Sequence, residues 1–169
     1  MVPLEKTEKR RQEIIQAAAA HLIEYGFQDS GLRAIAQSVG MSDRMIMYYF
    51  ETKEDLVAAA LEMIGEGLAS GMDSAVPRGN ATAGQILDAL SRTMQSDEVQ
   101  AIMRLWFEIV GLAMRGQQPY ARTAALLLSR SEEQIRKKLR SNQKHRAGEV
   151  LEHLEGRVMV GLLRGGMRR

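Results

Sequence analysis

The stretch GLRAIAQSVGMSDRMIMYYFETKEDL, residues 31–56, carries the pattern from which the rest of the chain can be read. Leu32, Ile35, Ala36 and Val39 recur at helical spacing, and Gly40 can take the left-handed conformation that ends such a helix. Ser42 is a good N-cap for a second helix, in which Ile46 and Phe50 face inward one turn apart. Ala36 is small enough for the two helices to cross closely. Short helix, tight glycine turn and capped second helix are the parts of a helix-turn-helix, read here over about residues 32–51.

With Ile35, Val39, Ile46 and Phe50 turned inward, the helical period puts Asp43, Arg44, Met45, Tyr48 and Tyr49 on or near the leading outer surface of the second helix. Arg44 is suited to a bidentate contact with guanine and Met45 to a thymine methyl. Asp43 can accept from cytosine or simply stabilise the helix N-terminus. Phe50 already occupies the inward position, so one of the two tyrosines is expected to face out. Lys53 lies in the first turn of the next helix, where free N–H groups and a cation together favour a phosphate, and Arg33 flanks the same surface. The plainer alternative for Arg33, Arg44 and Lys53 is solvated surface charge.

Working outward, Thr7 is expected to cap a first helix with Ile14, Ala18, Leu22 and Tyr25 on one face, stopped by Gly26 and followed by a polar joint, Gln28–Gly31. Downstream, Thr52 with Asp55 resembles a capping box opening a helix through Leu56, Val57, Ala60, Leu61, Ile64 and Leu68, whose far end Gly65, Gly67 and Gly71 should weaken. Past Pro77 and Gly79, Thr82 and Gln85 form a second such pair before Ile86, Leu87, Leu90 and Met94. Asp97 is expected to cap a segment through Met114 that is apolar on nearly every side, as in a centrally buried helix. Pro119 restarts the chain, and a stripe from Tyr120 to Leu139 runs to about Arg140. Ser141–Gly148 reads as a polar, basic link. A last helix carries Val150, Leu151, Leu154, Val158 and Leu162, with Gly156 and Gly161 admitting a close neighbour. The expectation is an all-α chain: a three-helix head, residues 1–52, and a helical body, residues 53–169.

Composition narrows the function. Among 169 residues there is no cysteine, which excludes disulfides, Cys-ligated metals and thiol chemistry. The net charge of +2 is unevenly spread: residues 1–56 carry seven Lys+Arg against nine Asp+Glu, residues 57–129 five against seven, and residues 130–169 eleven against five. A head of −2 gives no broad electrostatic footprint for a polyanion, so any DNA contact must rest on where a few cations sit. The basic cluster Arg136, Lys137, Lys138, Arg140, Lys144 and Arg146 reads as a solvated helix end and link. His21, His145 and His153 have no metal-site spacing. Asn80-Ala81-Thr82 matches a glycosylation sequon by chance. Neither a secretory signal nor a membrane span is read, which points to the cytoplasm. No catalytic triad, phosphate-cradling loop or metal cluster is legible, so no enzyme and no cofactor is expected.

The run Ile35-Ala36, Gly40-Met41-Ser42, Tyr49-Phe50 and Thr52-Lys53-Glu54 with Leu56, preceded by Tyr25-Gly26-Phe27, resembles the DNA-binding head of TetR-type transcriptional regulators over about residues 7–61. Many fixed spacings agree at once. The resemblance implies base reading by Arg33, Asp43, Arg44, Met45 and Tyr48, and phosphate holding by Tyr49 and Lys53. It also implies a homodimer joined through the last two helices, a palindromic DNA operator, a repressor's role and a small apolar effector in the body. Two positions depart from the pattern: Met47 stands where the family usually has Tyr, and Ser30 where it usually has Thr.

For the effector the candidate residues are Met63, Met94, Met103, Trp106, Phe107 and Tyr120, with Arg104 and Glu108 as the polar groups that would orient it. A Met and aromatic stripe at helical spacing is as readily plain core, and Arg104 and Glu108 an ordinary i,i+4 pair. A helical protein-interaction module that binds no operator is the rival function.

Overall fold

The computed structural model of the chain describes residues 4–28, 30–76 and 78–166. Asp29 in the first joint and Pro77 in the loop before Gly79 lie outside them. The described residues form eight α-helices in succession: α1 Leu4–Tyr25, α2 Leu32–Ser38, α3 Asp43–Tyr49, α4 Lys53–Ala75, α5 Ala83–Thr93, α6 Asp97–Met114, α7 Tyr120–Lys138 and α8 Ala147–Gly166. Among the described residues there is no strand, only an isolated bridge between Ala81 and Leu139.

The caps explain most of the boundaries. Thr52 and Asp55 exchange hydrogen bonds in a full capping box, as do Thr82 and Gln85. Two expected starts move. Thr7 lies inside α1, because Leu4, Glu5 and Lys6 are all strong helix formers and extend it upstream. Asp97 is the first residue of α6, not its cap; the Ser96 side chain accepts from the Val99 N–H. The Ser141–Gly148 link is more ordered than expected, being a 3₁₀ helix, Ser141–Arg146, that runs directly into α8.

Packing divides into two clusters. The first joins α1, α2, α3 and α4 through Ile14, Leu22, Ile35, Ile46, Phe50 and Leu56, and extends into the body at Leu105, Ile109 and Tyr120. The second joins α5, α7 and α8 through Ile86, Leu90, Ile135, Leu139, Val150 and Leu154. Helix α4 does not fray at its glycines. At Gly65 a Cβ would stand 2.6 Å from Leu127 Cδ2, so this glycine lets α7 press against α4. Helix α6 is central, packing on α1, α7 and α8. It is not buried all round, however: Met103, Leu105 and Ile109 are buried, Trp106, Phe107 and Val110 are half-buried and Met114 is exposed.

One charge is fully interior. Lys138 ends α7 with its ammonium inside the protein, 2.6 Å from the Val76 carbonyl oxygen at the end of α4 and 2.8 Å from Asp73 Oδ1. It therefore does not belong to a solvated basic cluster. Within that cluster Arg136 bonds Glu132 and Glu133, and Arg146 bonds Glu149, so much of its charge is compensated locally. The hydrogen bond from Lys138, then that from Arg78, holds the Asp73 carboxyl down at about 2. The neighbouring backbone is tied as well: Gly79 N–H donates to Lys137 O, Ala81 N–H to Lys138 O, and Arg140 N–H to Ala81 O.

Candidate nucleic-acid interface

The corner between α2 and α3 is built from local geometry. Gly40 has φ +65°, and the Met41 N–H returns to the Ala36 carbonyl at 2.9 Å, closing α2. The Ser42 hydroxyl accepts from the Met45 N–H at 3.3 Å, opening α3. Ile46 and Phe50 are then buried, and the other side of α3 is presented outward. Met45 is 52% and Tyr48 74% exposed. Asp43, Arg44 and Met47 are also exposed, as is Arg33 on α2.

Tyr48 is thus the outward tyrosine. Tyr49 is half-buried, packed on the first core cluster with its ring edge-on to Tyr48 at 5.1 Å. Lys53 is half-buried in the first turn of α4, its Nζ 5.2 Å from the centre of the Phe27 ring. Among the described residues Arg33, Arg44 and Lys53 form no ion pair, whereas the acids nearby are partly occupied. Glu13 pairs with Arg10, and Asp55 is spent on the Thr52 cap. A head with a small net negative charge therefore still presents cations on this face. Arg11 of α1, a residue not singled out from sequence, places its guanidinium 4.9 Å from the Phe50 ring centre at the end of α3.

The head is joined to the body at Phe27. Its N–H donates to Glu108 Oε2 at 2.8 Å, and its ring meets the Tyr120 ring edge-on at 5.2 Å. Gly26, at φ +75°, brings the backbone so close to Glu108 that a Cβ would lie 2.9 Å from Oε1. Ser30, fully buried, completes the joint by donating to the Gly26 carbonyl. Tyr120 is buried with its hydroxyl unpartnered; burial, and secondarily the charge of Glu54, pushes it up to about 12.

A cavity of about 930 Å³ lies in the body, walled by α4, α5, α6, α7 and α8 and reaching α1 at Gln16, Ala19, Ala20 and Ile23. Of the effector candidates, Met63, Met94, Met103 and Trp106 line it. Four do not. Arg104 is exposed, Phe107 is half-buried outside the cavity lining, and Glu108 and Tyr120 are engaged at the Phe27 seam, 81 residues from Glu108 in sequence. Arg104 and Glu108 do not pair with each other. Among the polar groups that do line the cavity is Glu155 of α8, which accepts from the Trp106 indole N–H at 3.0 Å. Its position four residues after Leu151 and three before Val158, beside the apolar stripe of α8, was the available signal.

Among the described residues no group of His, Asp and Glu could hold a metal, and no helix is long and apolar enough to cross a membrane.

Residues 14–60 match the profile of the bacterial regulatory proteins of the tetR family. The chain is 26% identical over 107 residues to the HTH-type transcriptional regulator PksA of Bacillus subtilis strain 168; the match covers 63% of this chain and 52%, about half, of that protein. It is 28% identical over 155 residues to the HTH-type transcriptional regulator BetI of Stenotrophomonas maltophilia strain R551-3, covering 88% of this chain and 72% of that one. Among solved structures, the multidrug binding protein EbrR in complex with imidazole has TM-score 0.72 at 23% identity, over 92% of this chain and 86% of EbrR. The regulator SCO7518 of Streptomyces coelicolor A3(2) has TM-score 0.71 at 23% identity, over 89% and 86%. The structural likenesses speak to fold, and the family match spans the corner built from Ile35, Gly40, Ser42 and Phe50. By that corner, residues 14–60 match the DNA-binding head of the tetR family of bacterial regulatory proteins, and the chain as a whole is similar to HTH-type transcriptional regulators.

Proposed function

We propose that the chain is a DNA-binding transcriptional repressor that sits on a palindromic operator as a homodimer and is released by a small apolar effector. Residues 1–52 read DNA, and residues 53–169 dimerise and bind the effector. The observation that carries this reading is the leading face of α3, capped at its N-terminus and open to solvent at Asp43, Arg44, Met45 and Tyr48, with no ion pair at Arg33, Arg44 or Lys53 among the described residues. In this reading Arg44 is the main base reader, and Lys53 and Tyr49 hold the phosphate backbone.

Dimerisation through α7 and α8 is supported by apolar side chains left exposed there. Leu126, Met159, Val160 and Leu163 face outward, and the open space above Gly156 and Gly161 would admit a second helix. The dimer would set two recognition helices about 34–36 Å apart, one turn of DNA. The effector would occupy the cavity behind Met63, Met94, Met103 and Trp106. Because α1 forms part of its wall, and Glu108 and Tyr120 grip Phe27, a shift there is passed to the head. The coupling would be about 1–3 kcal/mol, as is usual between linked sites. The neighbour EbrR, a multidrug binding protein crystallised with imidazole and with proflavin, supports the effector part of the reading.

The test is selection of binding sequences from a random DNA pool at about 0.15 M salt, repeated with Arg44→Ala and Lys53→Ala. A palindrome should be enriched. Arg44→Ala should lose about 1–3 kcal/mol of discrimination at one base pair, while Lys53→Ala should weaken all DNA alike and lower the salt slope by about one. A clean dimer that enriches nothing would favour the protein-interaction module instead.

A further inference from the structure

The cavity carries more chemical information than its size. Its apolar wall is rich in soft groups: Met63, Met72, Met94 and Met103, with the indole of Trp106 among them. Methionine sulfur is polarisable and adapts to flat or irregular ligands, and an indole face attracts cations. Into this wall projects a single half-buried acid. Glu155 gives Oε2 to the Trp106 N–H, leaving Oε1 with no hydrogen bond, and it has no cationic partner among the described residues.

The other charges around the cavity are accounted for. Glu66 and Glu98 are exposed to water, and Glu133 is held by Arg136 at 2.7 Å. Arg130 stands 3.6 Å from Glu62, and Lys137 is exposed. Glu155 is thus the one carboxylate on the wall that is withdrawn from solvent and uncompensated. Burial raises its pKa above the usual glutamate value, with the Trp106 hydrogen bond opposing. A carboxylate in such a place is stabilised by a cation delivered to it, and an anion or a second carboxylate would be repelled.

Resting on the reading of this cavity as the effector site, we infer that its effector is an apolar cation, held with its charge against Glu155 and its hydrocarbon against Trp106 and the methionines. Both features act together. The apolar wall alone would accept a neutral molecule of the same shape, and the carboxylate selects by charge.

Trp106 is the single tryptophan of the chain, so intrinsic tryptophan fluorescence reports on this wall alone. The full-length protein is titrated with tetraphenylphosphonium and with tetraphenylborate, ions of nearly the same shape and opposite charge, by fluorescence and in parallel by calorimetry. Tetraphenylphosphonium should bind saturably and at least about tenfold more tightly than the borate. Glu155→Gln keeps an acceptor for the indole N–H and should fold normally, which thermal unfolding checks, while bringing the two ions to within about threefold of each other. Borate binding as tight as the phosphonium, or an undiminished preference in Glu155→Gln, would overturn the charge selection and leave an apolar effector site standing. Absence of saturable binding of either ion by both methods would overturn the effector site itself, and this inference with it.

Discussion

At the α2–α3 corner the contacts that set the geometry are short in sequence: Met41 N–H to Ala36 O, Met45 N–H to the Ser42 hydroxyl, Gly40 in the left-handed region. In the body the deciding contacts are long. Lys138 reaches Asp73 across 65 residues, Trp106 reaches Glu155 across 49, and Glu108 reaches back to Phe27 across 81. The two regions also dispose of polarity in opposite ways. The head exposes apolar Met45 and Tyr48 together with unpaired cations, whereas the body draws a lysine fully inside and leaves a glutamate on the wall of an apolar cavity. A surface that meets a polyanion needs its cations unspent, while a fully interior charge such as Lys138 is held by the partners that compensate it.

The largest effect that would break this contrast is expected at Lys138. Lys138→Met fills similar volume but leaves the Val76 carbonyl without its ammonium. It should cost about 2 kcal/mol, a loss of about 4–8 °C in melting temperature by calorimetry. A variant as stable as the parent would show that the inward lysine contributes nothing net.

Two glycines sharpen the same comparison. Gly26 and Gly40 both have positive φ, but a Cβ at Gly40 meets open space while one at Gly26 meets the Glu108 carboxylate. Gly40→Ala should cost about 1 kcal/mol from backbone strain alone. Gly26→Ala should cost that and a further ~1 kcal/mol, as Glu108 is displaced from the Phe27 N–H. Equal losses in chemical denaturation would mean that the Glu108 bond does not hold the seam.

Titration separates the remaining contacts. The Tyr120 pKa is raised in the folded protein from 10.0 to about 12, so the stability it contributes is intact below pH 10 and is lost as pH rises toward 12. Tyr120→Phe, which removes only an unpartnered hydroxyl, should match the parent at pH 7 and melt higher than it at pH 11. The Asp73 pKa is lowered from 3.8 to about 2, so its contribution is present above pH 3.8 and fades as pH falls toward 2. The smallest effect is therefore the convergence of Asp73→Asn and parent melting temperatures over that acid window. Curves that stay parallel would remove the Asp73 carboxylate from the account of α4.

The head was legible because its information is local. Ser42, Thr52 with Asp55, and Gly40 act within a turn of the chain, so spacing alone revealed the corner and put Met45 outside, while the choice of Tyr48 over Tyr49 as the outward tyrosine came from the structure. The same logic found Thr82 with Gln85 in the body. It misplaced the start of α1 at Thr7, where good helix formers override a serviceable cap, and it offered Asp97 where the neighbouring Ser96 caps. Glu108, read with Arg104 as a polar group for an effector or as its i,i+4 partner, could not be placed at the Phe27 seam without knowing how α1 packs on α6.

Periodicity and capping by themselves determined that the chain is helical, where most of its helices lie, and which surface of α3 faces outward, because a helix is specified by interactions three and four residues apart. Only the tertiary structure decided that Lys138 lies inside, that Gly65 is a contact with Leu127, that Tyr120 belongs to the head–body seam, and that Glu155 stands against Trp106. Each of these depends on which helix faces which across dozens of residues, and a residue's chemistry there is set by neighbours that its local sequence does not contain.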